Sequence, residues 1–362
     1  MIRDRGRIME NNYLYYYILS FFRKERTTNA AQLFHVFQGK RTPSMFYIIE
    51  KNRWHHGFSQ FKRLTREEMN DIIEELEKEA YLEKSEKGYK ITAKGNETQK
   101  NYFATHFYPK EISTFKNVNL RLPFWDRLQL FTQVFSEYSF HNVQYIPIIK
   151  HPKHQENVRQ LFQQVNSSTQ KENLLERWQK ENYYIFQHLN KNTANTLANL
   201  LTGHGSVGKT ASQMAALYQM ENNEFYFYLL TCLEELLHLI KHERKKLPLL
   251  AEIVRQLEQE TYLGLSSSTY TTYQLLEKGY SFADVASARK IKISTVREHI
   301  LEMAFVFSNF PYQKYVPESI YQRLNQQFDT NKELTYKEAK TNLEDLEFIH
   351  FRLTELERLR SK

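Results

Sequence analysis

The stretch Ser281-Phe-Ala-Asp-Val-Ala-Ser-Ala-Arg-Lys-Ile-Lys-Ile-Ser-Thr-Val-Arg-Glu-His-Ile300 decides the fold. It reads as two short helices around a tight turn, a helix-turn-helix. Ser281 suits an N-cap, because its hydroxyl accepts from the first unpaired backbone amides. Phe282, Val285, Ala286 and Arg289 follow with helical spacing, and Ala286 is small where a second helix must pass closely. Ile291 and Ile293 are expected to be buried in the turn. Ser294 is expected to cap the second helix, with Val296 and Ile300 inward and Thr295, Arg297, Glu298 and Leu301 outward, Leu301 being the least suited of these to face water. In this geometry the early outward residues meet base edges and phosphates. From Lys278 to Arg297 five basic residues (Lys278, Arg289, Lys290, Lys292, Arg297) are opposed by Asp284 alone. An ordinary αα-hairpin with a solvated basic face is the competing reading. The agreement of caps, small residue, turn length and charge favours a DNA-binding unit.

The whole chain is compatible with that unit. Its 362 residues exceed one typical core, so two or three domains are expected. Fifty basic residues against 42 acidic ones give a net charge of +8, which favours an acidic partner such as nucleic acid. The single cysteine, Cys232, lies in an apolar run and is expected to be a small core residue. One cysteine excludes a disulfide framework and a multi-cysteine zinc site. The charged start Met1–Glu10 is not followed by an apolar segment of signal type, and Tyr13–Phe22 is too short to cross a bilayer. The expectation is a cytoplasmic, nucleoid-associated protein with no membrane contact. Ten glycines, eight prolines and long segments of 3.6-residue period predict a mainly α fold.

Three parts are expected in order. Residues 1–110 read as a winged-helix-like domain: helices over Tyr13–Phe22 and Ala30–Phe37, a short one near Phe46–Lys51, then a strong one opened by Thr65. The period then changes from 3.6 to 2, with strands Tyr81–Lys84 and Tyr89–Thr92 around the turn Ser85–Gly88, and Gly95 ends the unit. Arg53, Lys62, Arg63 and Arg66, interleaved with Trp54, Phe58 and Phe61, suit a phosphate track with stacking surfaces. The alternative is that these aromatics are core and the wing a structural hairpin. Residues 111–262 read as a helical scaffold, with Lys150–Gln155 as a helix-breaking loop. Residues 263–362 hold the helix-turn-helix, and their last segment fits either a strand passing into a helix or one helix.

Gly203-His-Gly-Ser-Val-Gly-Lys-Thr210 matches the phosphate-loop pattern G-x-x-x-x-G-K-T. That mechanism needs a buried strand before the glycines and a helix after them. Residues 191–202 read as helix instead, so a helix end and a short turn are expected. Glu234, Glu235 and His238 give one E-x-x-H spacing without a second copy, which fits a solvated helix face better than a metal pair. His55 and His56 suggest an interaction loop. No catalytic residue, metal or cofactor is expected, and the protein reads as a non-enzyme.

From Thr272 to Leu301 the chain resembles the helix-turn-helix module at the C-terminus of RecQ-type helicases. The shared elements are an L-L-x-x-G-x-S-x-x-x-V-A lead, S-T-V-x-x-H in the second helix, and a late L-E-F-I-H-F-R-L segment. The three-part layout resembles the YpbB-like proteins, stand-alone helix-turn-helix proteins of low-GC Gram-positive bacteria commonly encoded beside a short RecQ-type helicase. The resemblance implies a DNA-binding accessory protein whose partners are DNA and a RecQ-type helicase, acting in repair or recombination. A sequence-specific transcription regulator is the alternative. The DNA-contacting residues expected are Arg289, Lys290, Lys292, Ser294, Thr295 and Arg297 in the helix-turn-helix, with Arg53, Lys62, Arg63 and Arg66 in the N-terminal part.

Overall fold

A computed structural model of the chain describes residues 13–110, 112, 115–163 and 168–361. The charged start Met1–Glu10 lies outside them. The described residues form a mainly α protein with one small β-hairpin. In chain order the helices are α1 (Tyr13–Leu19), α2 (Ala30–Phe37), α3 (Pro43–Asn52), α4 (Arg66–Lys78), α5 (Ala93–Thr105), α6 (Arg121–Ser139), α7 (Pro152–Gln163), α8 (Ser168–His188) and α9 (Lys191–Leu200). They continue with α10 (Ala211–Leu217), α11 (Asn222–His242), α12 (Pro248–Glu260), α13 (Ser267–Glu277), α14 (Phe282–Arg289), α15 (Ile293–Val306), α16 (Glu318–Thr330), α17 (Tyr336–Asn342) and α18 (Phe348–Arg360). The strands are β1 (Leu82–Ser85) and β2 (Gly88–Ile91).

By mutual contact the described residues group across separate stretches of sequence. They form two compact units, each assembled from separate segments. The first takes the described residues within Met1–Ala30, Glu67–Ile112 and Asn119–Thr261; the second takes those within Ala31–Arg66, Ser113–Val118 and Tyr262–Lys362. The N-terminal 110 residues are thus shared between both. The charge divides with them. Counted over the full sequence of these stretches, the first set has 28 basic and 28 acidic residues and the second 22 basic and 14 acidic, so the net +8 falls on the stretches that carry the helix-turn-helix.

In the first unit, β1 and β2 pair antiparallel with Ser85 opposite Gly88, leaving Glu86 and Lys87 as the turn. Thr28 extends the pairing: its N–H donates to Tyr89 O at 2.8 Å, and Tyr89 N–H returns a bond of 2.9 Å. Gly88 sits at φ 147° with Thr28 O only 2.3 Å from where a Cβ would stand, so both conformation and space require glycine. Gly95 does not end the unit as expected. It lies in the first turn of α5, where a Cβ would come within 2.3 Å of Tyr81 O; close backbone approach is its reason, not helix termination. Helix α4 buries Met69, Ile72, Ile73 and Leu76, and its exposed face carries Glu67, Glu68, Asp71 and Glu74.

Helices α6 to α12 supply the large core. Trp178 stacks on Phe135 at 4.9 Å beside Phe131, and Cys232 is buried among leucines, where burial pushes its thiol up to about 11. Buried Arg127 makes two bonds to Glu260, at 2.8 and 2.7 Å. The carboxylate of Glu181 accepts from the N–H groups of Leu249 and Leu250, both at 2.9 Å, and so caps α12, whose first residue is Pro248. Tyr13 and Tyr17 of α1 pack on Phe227 of α11. The expected loop Lys150–Gln155 is shorter, because Pro152 starts α7 and His154 is buried.

In the second unit α15 is the central strut, with α3, α13, α14 and α18 packed on it. Phe46 stacks on Phe305 of α15 there at 5.5 Å, and Phe115 packs edge-on against Phe46 and Phe58. Trp54 and Phe58 are buried, only 4% and 1% exposed. They are core residues rather than stacking surfaces for bases. His55 likewise packs on Phe115 and bonds Glu50 at 3.1 Å inside this unit, so it is not part of an open interaction loop. The last segment is one helix, α18. A smaller apolar cluster of Leu324, Phe328, Leu334, Leu343, Leu346 and Phe351 joins it to α16 and α17.

Candidate nucleic-acid interface

The helix-turn-helix is built by local chemistry at each joint. Ser281 caps α14 as expected: its Oγ accepts from Asp284 N–H at 3.2 Å, while the Asp284 carboxylate accepts from Ser281 N–H at 3.1 Å, a reciprocal capping box. Hydrogen bonds from Ser281 hold the Asp284 carboxyl below its ordinary range. Helix α14 ends at Lys290 in the left-handed region, φ 53°, and its N–H returns to Ser287 O at 3.1 Å. Ile291 N–H then bonds Ala286 O at 3.0 Å, so the chain reverses over Lys290–Lys292. Val285, Val296 and Ile300 are buried, as their spacing required.

Three details of the turn differ from expectation. The N-cap of α15 is Lys292, in extended backbone with no side-chain cap, and Ser294 is an exposed residue of the first helical turn. Ile293 is 42% exposed rather than buried, because the helix starts at it and its side chain projects from the first turn. Leu301 is buried rather than outward. From His299 to Val306 every residue of α15 is buried, since α3, α13 and α18 enclose that end. Only the first turn and a half, with the preceding turn, is open to a groove.

The site residues fall into distinct situations. Lys290, Lys292 and Ser294 are exposed, and Thr295 is half-buried. Arg297 is half-buried, and its Nη2 pairs with Glu347 Oε1 at 2.6 Å. Arg289 turns inward: it bonds Ser268 Oγ at 2.9 Å and Thr272 Oγ1, and stands 3.3 Å from His299 Nδ1. It ties α14 to α13 and α15, and burial lowers its pKa. Burial, with Arg289 next, likewise lowers His299, so the ring accepts as a neutral imidazole. Arg53, Lys62, Arg63 and Arg66 are all exposed, and they belong to the same compact unit as the helix-turn-helix. Arg53 closes α3 in the left-handed region, and Arg66 lies over the Phe34 ring at 6.0 Å.

Two ionic clusters brace α15 from behind. Glu302 is buried and accepts from Arg41 Nη2 at 2.8 Å, Ser266 N–H at 2.7 Å and Thr269 Oγ1 at 2.7 Å. Arg41 also reaches Gly264 O at 2.6 Å. At the other end, Arg360 donates to Ala304 O and Phe305 O, both at 2.7 Å, satisfying carbonyls of the last turn, and pairs with Glu50. Despite its burial, His55 and Arg360 hold the Glu50 carboxyl below its ordinary range. The two ion pairs carried no visible pattern, because Arg41 and Glu302 lie 261 residues apart and Glu50 and Arg360 lie 310 apart.

The phosphate-loop pattern has a different geometry from a nucleotide cradle. Helix α9 precedes it instead of a strand. Gly203 and Ser206 pair with each other, and a Cβ at Gly208 would lie 2.6 Å from Leu200 O. Lys209 Nζ donates to Asn199 Oδ1 at 2.7 Å, and Thr210 caps α10 through Gln213. Glu234 pairs with buried Arg121 at 3.4 Å, and Glu235 accepts from Asn190 N–H and Thr193 Oγ1, both at 2.6 Å. Among the described residues no group of three or more His, Cys, Asp or Glu is placed to hold a metal ion, and no helix is long and apolar enough to cross a membrane.

No solved structure matches the chain. Residues 268–355, which span α13 to most of α18, match the family model described as a helix-turn-helix domain. Over 311 residues, 81% of each chain, the sequence is 24% identical to Protein YpbB of Bacillus subtilis (strain 168). The protein is therefore similar to YpbB over most of its length and carries a C-terminal helix-turn-helix domain of the kind that points to DNA.

Proposed function

We propose that this protein is a non-enzymatic DNA-binding accessory factor that works with a short RecQ-type helicase in DNA repair or recombination. The observation that carries the DNA contact is electrostatic. All the net positive charge falls on the sequence stretches of the unit whose recognition helix and preceding turn expose Lys290, Lys292 and Ser294. DNA-contacting roles go to those three residues with Thr295 and Arg297, and to Arg53, Lys62, Arg63 and Arg66. Arg289 acts behind them as a brace. The short open length of α15, with Glu298 on its outer face, suits phosphate and junction contacts more than extensive base readout. The helicase partnership rests on the resemblance of the C-terminal module and of the overall layout. Its test is a pull-down from the native host, together with binding to forked, single-stranded and duplex DNA. Recovery of a RecQ-type helicase and preference for forks supports the reading; binding confined to one duplex sequence contradicts it.

A second reading is a sequence-specific transcription regulator, favoured by exposed Ile293 and Ser294, which could meet a thymine methyl and a base edge. Selection from random duplexes separates the two, since a regulator enriches a defined, palindromic site.

A further inference from the structure

Away from the helix-turn-helix turn, the second unit has a cleft of about 530 Å³ between α3, α18 and the segment that joins α16 to α17. This lies within the range of roughly 300–1,000 Å³ that encloses small ligands. Its wall combines flat rings and cations: Tyr47, Lys51, Lys332, Tyr336, Arg352 and Arg358. The Arg352 guanidinium lies 3.6 Å from the centre of the Tyr47 ring, a close stack. Two carboxylates also line the cleft. Glu355 is compensated in place, because it accepts from Tyr47 Oη and from Arg352 Nη1, both at 2.5 Å. Burial and that carboxylate push the Tyr47 phenol up to about 12, so it donates as a neutral hydroxyl. Glu333 is exposed, as are Lys51 and Lys332. Arg358 is shared with Asp329, at 2.6 Å. The lining keeps an excess of two cations over carboxylates.

We propose that this cleft holds one nucleotide of single-stranded DNA, the base against the Tyr47, Tyr336 and Arg352 planes and the phosphates beside Lys51 and Lys332. Planar side chains stack on any base, and cations beside them follow the backbone. A duplex presents no free base face, so the cleft and the recognition helix take different forms of the same polymer. This inference rests on the DNA-binding reading above and gives that unit a second, single-strand site.

Full-length protein is titrated with a labelled ten-nucleotide oligo-dT and, separately, with a labelled duplex. The variants are Lys332→Glu, Tyr336→Leu, and the pair Lys290→Gly with Lys292→Ser. Lys332→Glu changes an exposed side chain and keeps the fold; Tyr336→Leu removes the ring. Each is expected to weaken oligo-dT binding by about tenfold, the scale of one lost base stack or phosphate contact, and duplex binding by less than about twofold. The helix-turn-helix pair is expected to do the reverse. Oligo-dT binding unchanged in both cleft variants overturns the proposal. So does an oligo-Glu peptide that binds the cleft and is not displaced by oligo-dT, which would mark it as a protein-docking site. Duplex binding through Lys290 and Lys292 without oligo-dT binding sinks the cleft alone. Oligo-dT binding through the cleft without duplex binding sinks the recognition helix alone.

Discussion

Replacing Lys290 by Gly and Lys292 by Ser removes two charges from the proposed DNA face while improving the backbone that carries them. Lys290 stands at φ 53°, where a side chain costs about 1 kcal/mol that glycine avoids. Lys292 is the N-cap of α15 and offers no side-chain acceptor. A serine there supplies one, worth roughly 1 kcal/mol. The double variant should thus melt at or above the wild-type temperature. Its DNA binding should nonetheless weaken, because each lost phosphate contact removes about 0.9 from the slope of log K against log salt for duplex DNA. Two contacts remove about 1.8, so the wild-type advantage should shrink by roughly tenfold between about 50 and 200 mM salt. The assay is fluorescence anisotropy with a labelled duplex at several salt concentrations, with a thermal melt of each protein. An unchanged slope would refute the placement of Lys290 and Lys292 on phosphate. A lowered melting temperature would refute the account of the turn.

Glu347→Gln frees Arg297 from an exposed pair worth up to about 1 kcal/mol, so duplex affinity should rise by up to roughly fivefold; a fall in affinity would mean that the pair orients Arg297 for DNA. Arg41→Ala leaves the buried Glu302 carboxylate without its cation and should cost about 3 kcal/mol in urea unfolding. A loss below about 1 kcal/mol would show that Ser266 and Thr269 alone satisfy it. Burial, with Arg127 next, lowers His154 from 6.5 to about 4. The folded state therefore prefers the neutral ring: its contribution is fully present above 6.5 and is lost as pH falls from there toward about 4. His154→Asn should flatten the melting temperature over that window, and an unchanged wild-type profile would contradict the assignment.

The helix-turn-helix was legible because its determinants are local. The Ser281 cap, the small Ala286 and the inward Val285, Val296 and Ile300 all lie within twenty residues. The hairpin was legible for the same reason, since the change from period 3.6 to 2 is a local signal. Long-range assembly was not. Trp54 and Phe58 look like stacking surfaces beside their basic neighbours, yet Phe115 and the Phe305 end of α15 cover this region. Arg289 and Lys290 are equally basic and adjacent, but Arg289, the last residue of α14, turns onto Ser268 and Thr272, whereas Lys290 leaves the helix in the left-handed region and is exposed. Ile293 misled because an apolar residue in a turn suggests burial, whereas its position at the start of α15 projects it outward. The cleft gathers side chains from α3, α17, α18 and a loop, a juxtaposition that no sequence window contains.

The central claim is that the first turn of α15 touches DNA. A photoreactive benzoyl-phenylalanine at Ser294 tests it directly, with the same residue at exposed Arg255 of α12 as control. The account predicts covalent capture of duplex DNA from position 294 and none from 255, with capture falling as salt rises. No capture from 294, or equal capture from both, would contradict it.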